Sequence, residues 1–384
     1  MPLLAPPPPP PPAAIAPATP PIVALGSSRI QEIRYQVTVT GFSGNQWSPD
    51  TLSIPPSDLG LSLVMEGPSS RVDRSSLSAA VWLNSRPVPD LQSRCRLAPG
   101  IATGNELAIA PLPAFTGQSI RWQTSFLVEC FDVATDEARA ASITWPRDWP
   151  EEVERFRRPE PLIESDAPPV RAFVERTSGG RLREVPPYLA AKDLVRAAVV
   201  GVRNLTGNGV VREGFAAING IEVNGCLPLL STGDGTPADL VCLAVAALRA
   251  AGIPARPVLG VTRYDDPKRK MLLSKGNGPW VWGEFWLPEA GWIPFDPVVM
   301  RRQSLRTLDV RAPWKGFASP AGMKELVPMA WTFMPTPPFV VNGWPAMWWS
   351  TVEGLVFGPT GSPVGWSNAS ISVTMIGRGR GKAP

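Results

Sequence analysis

The sequence predicts an α+β protein in which antiparallel β-structure precedes a segment where helices are followed by strands. Three observations support this prediction. Apolar and polar residues alternate in the N-terminal part, helical spacing begins near residue 190, and strand-like runs return after residue 255. With 44% hydrophobic and 18% charged residues among 384, the chain is globular and long enough for two or three domains.

The first 23 residues are mostly proline and alanine. We predict that residues 1–23 form a disordered Pro-rich arm, because a run such as Pro6–Pro12 favours an extended, solvated chain. The arm lacks a basic start and a proper apolar stretch, so it is not expected to be a signal peptide. No apolar run reaches the length of a membrane span, and the compartment of the protein stays open.

Residues 24–150 are predicted to form an N-terminal antiparallel β-sandwich domain. Period-two alternation gives each strand one buried face, and turn residues separate the strands. The alternation recurs in four stretches, residues 33–39, 59–65, 77–83 and 120–128. Cys95 and Cys130 both lie in strand-like sequence and could pair if the protein is exported.

Residues 151–164 are rich in Pro, Glu and Arg and are predicted to be a linker, with an α+β core over residues 165–300. An apolar stripe over residues 194–205 predicts a first core helix that ends near Gly207. A second helix is better marked: Thr236 is a good N-cap, Pro237 suits the first turn, Asp239 completes a capping box, and Gly252 follows the last turn. Strands are predicted at residues 257–262, 280–287 and 292–295.

Residues 301–384 are predicted to be a Trp-rich loop and strand extension. Ten of the fifteen tryptophans lie after residue 279. We interpret them as a source of buried area in a region with little regular structure, although an aromatic ridge that stacks sugars is an alternative. The basic run at residues 378–382 is interpreted as a solvated tail.

The absence of histidine excludes the most common catalytic and metal-binding arrangements. Without imidazole there is no Ser-His-Asp or Cys-His catalysis and no histidine metal site. The four cysteines lack the paired spacing of a zinc cage, and no cofactor is expected. The formal net charge of +4 is small, and no basic stripe indicates a nucleic-acid partner.

Two segments nevertheless resemble a known family. They run from Gly233 to Arg256 and from Trp280 to Pro297, and they contain the phrases LRAAGIPAR, WGEFWLP and GWIPFDP. These phrases are similar to those of the transglutaminase-like superfamily, a branch of the papain-like fold. The resemblance covers about residues 231–297 and implies a papain-like transglutaminase core; an upstream β domain also fits many bacterial members.

The resemblance implies a Cys-His-Asp triad, with the thiol at a helix N-terminus where the helix dipole favours thiolate. In the family the cysteine stands about fifteen residues before the glycine of GIPAR, which corresponds to Pro237 here. The histidine opens the phrase that here begins at Trp280, and the aspartate of FDP is Asp296. The triad-equivalent positions are therefore Pro237, Trp280 and Asp296, which provide one acid but neither a nucleophile nor a base.

Three other groups of residues could carry out catalysis in place of the triad, and each also has a purely structural interpretation. Thr236 offers a hydroxyl but is also the obvious cap of its helix. Cys242 is the thiol nearest to the motif, but it lies more than one turn into the helix on the apolar face. A carboxylate pair could arise among four acids, which caps or ion pairs explain as well. These acids are Asp234, Asp239, Glu284 and Asp296.

The substitutions also suggest how the site could be stabilised without catalysis. Pro237 has the right φ for a helix start, and the indole N–H of Trp280 could satisfy a buried Asp296. The sequence therefore favours a catalytically inactive transglutaminase-like protein that binds a protein or peptide as a scaffold. The alternatives are an amidase, peptidase or acyl transferase with a relocated nucleophile, and a carbohydrate-binding or glycosidic protein that uses the tryptophans.

Overall fold

A computed structural model provides the structure of the protein. It describes residues 20–40, 52–54, 57–62, 66–99, 106–205, 210–213, 218–262, 278–333, 339–341, 344–347 and 369–380. Most of the predicted Pro-rich arm, residues 1–19, lies outside the described residues. Among the described residues, no helix is both long enough and apolar enough to cross a membrane.

In the first half of the chain, the described elements are mostly strands up to residue 135 and helices after it. They are β1 (Val23–Thr40), β2 (Leu52–Ile54), β3 (Ser57–Ser62), β4 (Ser70–Leu83), β5 (Arg86–Pro87), α1 (Leu91–Arg94), β6 (Arg96–Pro99), β7 (Glu106–Leu112), β8 (Phe115–Gly117), β9 (Ser119–Thr135), α2 (Glu137–Ala140), α3 (Glu151–Glu154), α4 (Pro168–Ser178) and α5 (Pro187–Gly201).

The second half contains α7, a 14-residue helix with twelve buried residues, and a further set of strands. These are β10 (Asn204–Leu205), β11 (Val210–Glu213), β12 (Ile218–Glu222), α6 (Cys226–Thr232), β13 (Asp234–Gly235), α7 (Pro237–Ala250), β14 (Ala255–Thr262), β15 (Gly278–Leu287), β16 (Gly291–Phe295), α8 (Pro297–Met300), β17 (Leu326–Ala330), β18 (Phe339–Val341), β19 (Trp344–Met347) and β20 (Ala369–Arg380). Short 3₁₀ turns lie at Arg155–Arg157, Leu182–Glu184 and Met323–Glu325.

The N-terminal half is built on a five-stranded antiparallel sheet with the order β20-β1-β9-β4-β5. Its alternation buries one face, as at Ile33, Phe126 and Val128, because successive side chains of a strand point to opposite faces. The prediction of antiparallel β-structure here is confirmed. Smaller antiparallel sheets join β3-β7-β6 and β2-β8.

The two cysteines of this region differ from the expectation that both lie in strands. Cys130 is buried in β9, but Cys95 lies between α1 and β6. Both thiols are free, so the structure contains no bond between them. The short turn of α1 interrupts the strand-like sequence ahead of β6, which is why alternation misplaced Cys95.

The core consists of helix α7 packed against an antiparallel sheet with the order β16-β15-β14-β17. Helices α4, α5 and α6 also contact α7, so twelve of its residues are buried and its sequence is apolar almost all round. The predicted strands correspond to β14, β15 and β16. Helix α5 ends at Gly201, earlier than the predicted end near Gly207, because Val202 is already extended (φ −80°, ψ 125°) and leads into β10.

The predicted C-terminal extension contributes to both parts of the molecule. Strand β17 pairs with β14 at one edge of the core sheet, whereas β20 returns to pair with β1 over eleven positions, from Val39 opposite Ala369 to Arg29 opposite Arg380. The backbone of Arg378 and Arg380 belongs to this strand, so the run is not an irregular tail up to Arg380, while its solvation stays a prediction. Lys382 lies outside the described residues.

The predicted linker at residues 151–164 contains regular structure. It includes α3, the 3₁₀ turn at Arg155–Arg157 and an antiparallel bridge between Glu160 and Ile163. The buried side chain of Arg249 donates to the carbonyl of Arg158 at 2.8 Å and lies 3.1 Å from Oε1 of Glu160. The arginine near the end of α7 thus fixes this segment against the core.

Candidate functional site

The start of helix α7 has the capping geometry that the sequence predicts. The Asp239 amide donates to Thr236 Oγ1 at 3.2 Å, and the Thr236 amide donates to Asp239 Oδ2 at 2.9 Å. Both side chains are buried, and Pro237 occupies the first helical position with its ring half-buried. Proline at this position removes an amide that a helix leaves without an intrahelical partner. Thr236 therefore acts as a structural cap.

Asp239 also connects this helix start to the preceding loop. Its Oδ1 accepts hydrogen bonds from the amides of Asn224 and Gly225, at 2.6 and 2.8 Å. Gly225 has a φ of 97°, and a Cβ there would meet the backbone of Leu162 at 3.0 Å. The carboxylate is thus saturated by main-chain donors, a role that accounts for its burial without catalysis.

The predicted contact between Trp280 and Asp296 is present. Trp280 Nε1 donates to Asp296 Oδ2 at 2.9 Å, and the two residues are only 5% and 1% exposed. The other carboxylate oxygen, Oδ1, accepts from the amide of Val299 at 3.0 Å and so caps the short helix α8. A buried carboxylate requires such donors. Trp280 and Val299 thus supply one donor to each oxygen of this carboxylate.

The fold brings together the segments that carry the three triad-equivalent positions. Helix α7, which begins at Pro237, packs against β15, which carries Trp280, and against α8, which Asp296 caps. Strands β15 and β16 approach closely at Gly283, where a Cβ would lie 2.1 Å from the ring of Phe295. This close packing fixes where β16 ends and therefore where Asp296 lies.

The thiols of the core are buried, and their surroundings disfavour the thiolate form. Cys242 is fully buried on α7, and burial first, then the charge of Asp239, raises its pKa well above the usual value. Cys226 begins α6, and its thiol donates to Glu164 Oε2 at 3.1 Å. Burial and this carboxylate raise the pKa of Cys226 to about 12. Since the thiolate is the nucleophilic form, neither environment activates the sulfur.

The sequence did not single out the contact of Cys226 with Glu164. The two residues are 62 positions apart, and no spacing rule connects a cysteine to a glutamate across that distance. The one local indication in the sequence is Gly225, directly before Cys226, because a glycine there allows the close approach to the backbone of Leu162 that the structure shows.

The four acids among which a carboxylate pair could arise each have a different partner. Asp239 and Asp296 accept the hydrogen bonds described above. Asp234 lies 3.3 Å from Arg203 and accepts from Asn204 Nδ2 at 3.0 Å. Glu284 forms a buried ion pair with Arg256 at 2.7 Å. Caps and ion pairs therefore account for all four carboxylates, which was the structural alternative.

Arg256 is a buried cation of the core sheet, with 3% of its surface exposed. Its guanidinium lies 3.8 Å from the ring centroid of Trp292 and 3.7 Å from that of Trp331, while Nε donates to Glu284 at 2.8 Å. Arg256 and Glu284 are direct neighbours on β14 and β15. The ion pair and the two stacked rings thus join β14 to its neighbours in the core sheet.

The described tryptophans of the C-terminal third are mostly covered by protein. Trp280, Trp282 and Trp314 are buried, and Trp286, Trp292 and Trp331 are half-buried. Trp348, Trp349 and Trp366 lie outside the described residues, and nothing is described of the side chain of Trp344. Burial of the first group agrees with the interpretation that these rings supply apolar area.

Comparisons with known proteins identify the core. Residues 219–297 match the family model of the transglutaminase-like superfamily. No curated protein sequence matches the chain at a significant level. Among solved structures, a putative cysteine protease from Cytophaga hutchinsonii is similar over 94% of this chain and 95% of its own, with 13% identity and a TM-score of 0.52.

Two further structures are similar at a lower level. The periplasmic domain of TgpA from Pseudomonas aeruginosa, bound to ethylmercury, shares 16% identity over 72% of this chain and 90% of its own, with a TM-score of 0.28. Red sea bream transglutaminase shares 14% identity over 68% of this chain and 50% of its own, with a TM-score of 0.26. The fold assignment depends on the first structure and the family model: residues 219–297 are a transglutaminase-like domain in a chain with a papain-like α+β fold.

Proposed function

We propose that this protein is a catalytically inactive transglutaminase-like protein that binds a protein or peptide partner as a scaffold. The observation that carries the proposal is the buried hydrogen bond from Trp280 Nε1 to Asp296 Oδ2 at 2.9 Å. In the family that the sequence resembles, a histidine at the position of Trp280 takes the proton of the nucleophile. Here an indole, which donates one hydrogen bond and accepts none, occupies that position.

The other half of the site supports the same conclusion. Pro237 has no nucleophilic atom, and the adjacent hydroxyl of Thr236 is engaged in the capping box of α7. The chain contains no histidine that could serve as a base elsewhere. Nucleophile and base act as a unit in covalent catalysis, so the absence of both removes the reaction rather than slowing it slightly.

The enzymatic alternative has less support. A relocated nucleophile at Cys242 would need an accessible thiolate, whereas this thiol is fully buried with a raised pKa. For Thr236 to act as the nucleophile, its hydroxyl would have to lose the hydrogen bond that it accepts from the Asp239 amide. The carbohydrate alternative requires exposed, coplanar rings, and the described tryptophans that are buried do not provide them.

A double reversion tests the inactive triad. The variant Pro237→Cys with Trp280→His restores the two missing residue types beside Asp296, and each single change serves as a control. We expect the introduced thiol of the double variant to react with iodoacetamide at pH 6 at least tenfold faster than that of Pro237→Cys alone, because the imidazole stabilises the thiolate. Equal rates in the two variants would refute the assigned geometry.

The binding half of the proposal needs a separate measurement. The unsubstituted protein of 384 residues is applied to an array of random-sequence peptides. Two variants are applied in parallel: Pro237→Trp, which adds bulk at a half-buried position, and Ser231→Trp, an exposed control on α6. We expect a set of bound peptides that Pro237→Trp loses and Ser231→Trp keeps. Binding that is unaffected by Pro237→Trp, or that is absent in the unsubstituted protein, would contradict the proposal that a peptide binds at this helix start.

A further inference from the structure

A polar cleft of about 430 Å³ lies at the opposite end of α7 from Pro237. Arg157 and Arg183 line it, and their Nη2 atoms lie 3.7 and 3.1 Å from the position that a Cβ would take at Gly252, just after the helix. Since a helix rises 1.5 Å per residue, the cleft is about 20 Å from the helix start. It is therefore distinct from the site described above.

Arg183 is held in place without a charged partner. Its guanidinium lies 3.9 Å from the ring centroid of Trp145, whose Nε1 donates to the carbonyl of Val185 at 2.8 Å. Within the part of the chain that the structure describes, no carboxylate pairs with Arg183. Partial burial and the neighbouring Arg157 charge lower its pKa. The stacked ring orients the guanidinium, while its charge is left for a ligand.

Arg157 is only partly satisfied. Its Nη1 lies 2.8 Å from both carboxylate oxygens of Glu154. Glu154 therefore offsets the charge of Arg157 but not that of Arg183. The Nε atom of Arg157 is buried and has no hydrogen-bond partner among the described residues. A buried donor without an acceptor is costly, so the contacts within the protein leave Arg157 incompletely satisfied.

The remaining walls indicate which anion fits. Trp149 is half-buried and is fixed by an edge-to-face contact with Trp286, with ring centroids 5.9 Å apart. Arg147 also lines the cleft, as do three carboxylates, those of Asp148, Glu151 and Glu154, of which the first two are exposed. The carboxylate charges disfavour multiply charged anions such as phosphate groups, whereas a single carboxylate beside an apolar group satisfies both the guanidinium groups and the indole.

We propose that this cleft binds the C-terminal carboxylate of a peptide, with Arg183 and Arg157 holding the carboxylate and Trp149 contacting the last side chain. Guanidinium groups bind carboxylates through paired N–H donors, which gives both affinity and orientation. The volume is at the lower end of the range for small-ligand sites and accommodates one or two terminal residues. The inference does not depend on whether a peptide binds at the start of α7.

Isothermal titration calorimetry of the full chain at low salt provides the test. The probe is acetyl-Ala-Phe with a free carboxylate, compared with the same dipeptide amide and with inorganic phosphate. We expect the acid to bind with a millimolar or lower Kd, the amide to bind at least tenfold more weakly, and phosphate not to compete. The substitution Arg183→Gln should weaken the acid at least tenfold, Arg183→Lys less so, and the exposed control Arg181→Gln not at all.

Several results would overturn the proposal. They are undetectable binding of the acid, equal binding of acid and amide, competition by phosphate at the same concentration, and full affinity in Arg183→Gln. Thermal unfolding of Arg183→Gln checks that the variant is folded; because this side chain is exposed, its midpoint should match that of Arg181→Gln.

Discussion

The contribution of the hydrogen bond between Trp280 and Asp296 to stability can be measured by comparison with Trp282, a second buried tryptophan on the same strand. Trp280→Phe removes an indole N–H that donates to a buried carboxylate at 2.9 Å. Trp282→Phe removes the same atoms two residues away, where Nε1 is buried without a hydrogen-bond partner among the described residues. Both rings are buried on β15, so their losses of apolar contact are comparable.

The expected difference follows from the energetics of buried hydrogen bonds. A hydrogen bond to a charged group contributes about 1.5–3 kcal/mol, and the loss is large because the carboxylate remains buried. We therefore expect Trp280→Phe to lower the free energy of unfolding by about 2 kcal/mol more than Trp282→Phe. Urea unfolding with linear extrapolation measures both values. Equal losses, or a greater loss in Trp282→Phe, would refute the structural role of this contact.

Two further substitutions test other parts of the core by the same urea measurement. Thr236→Ala removes the cap of α7 and should cost about 1 kcal/mol, whereas Thr236→Ser keeps the hydroxyl and should cost little; equal losses would contradict the capping role. Arg256→Lys should cost about 3 kcal/mol, because lysine can neither stack between two indoles nor reproduce the paired N–H donors to Glu284. The exposed control Arg155→Lys should stay within about 0.5 kcal/mol, and an equally small effect at Arg256 would show that the enclosed cation is dispensable.

The parts of the fold that were predictable are those with local signals. Helix α7 follows from its capping residues and from Gly252, which has a φ of 80° after the last turn. Strands β14 and β15 follow from apolar runs between turn residues. The contact of Trp280 with Asp296 was also predictable, because the resemblance places the two residues together and only one of them is a donor.

The parts that were missed depend on contacts between distant segments. Pairing of β20 with β1 joins residues more than 300 positions apart, and no local pattern specifies that partner. The enclosure of Arg256 by Trp292 and Trp331 likewise requires three separate segments to meet. Periodicity indicates which face of a strand is buried, but it does not indicate which segment covers that face.

The four cysteines allow a direct test of whether the protein contains a working thiol. Native protein is alkylated between pH 5 and 9, and mass spectrometry follows each cysteine. Burial raises the pKa of Cys130, Cys226 and Cys242, so their thiolate fractions at every pH in this range are smaller than that of a free thiol. Half-buried Cys95, whose pKa burial also raises, should react first and faster as the pH increases.

This labelling experiment tests the central claim that the transglutaminase-like core has no activated nucleophile. We expect Cys130, Cys226 and Cys242 to react only after the protein is unfolded. Rapid labelling of Cys242 or Cys226 in the native protein near pH 6 would demonstrate an accessible thiolate and would contradict this claim.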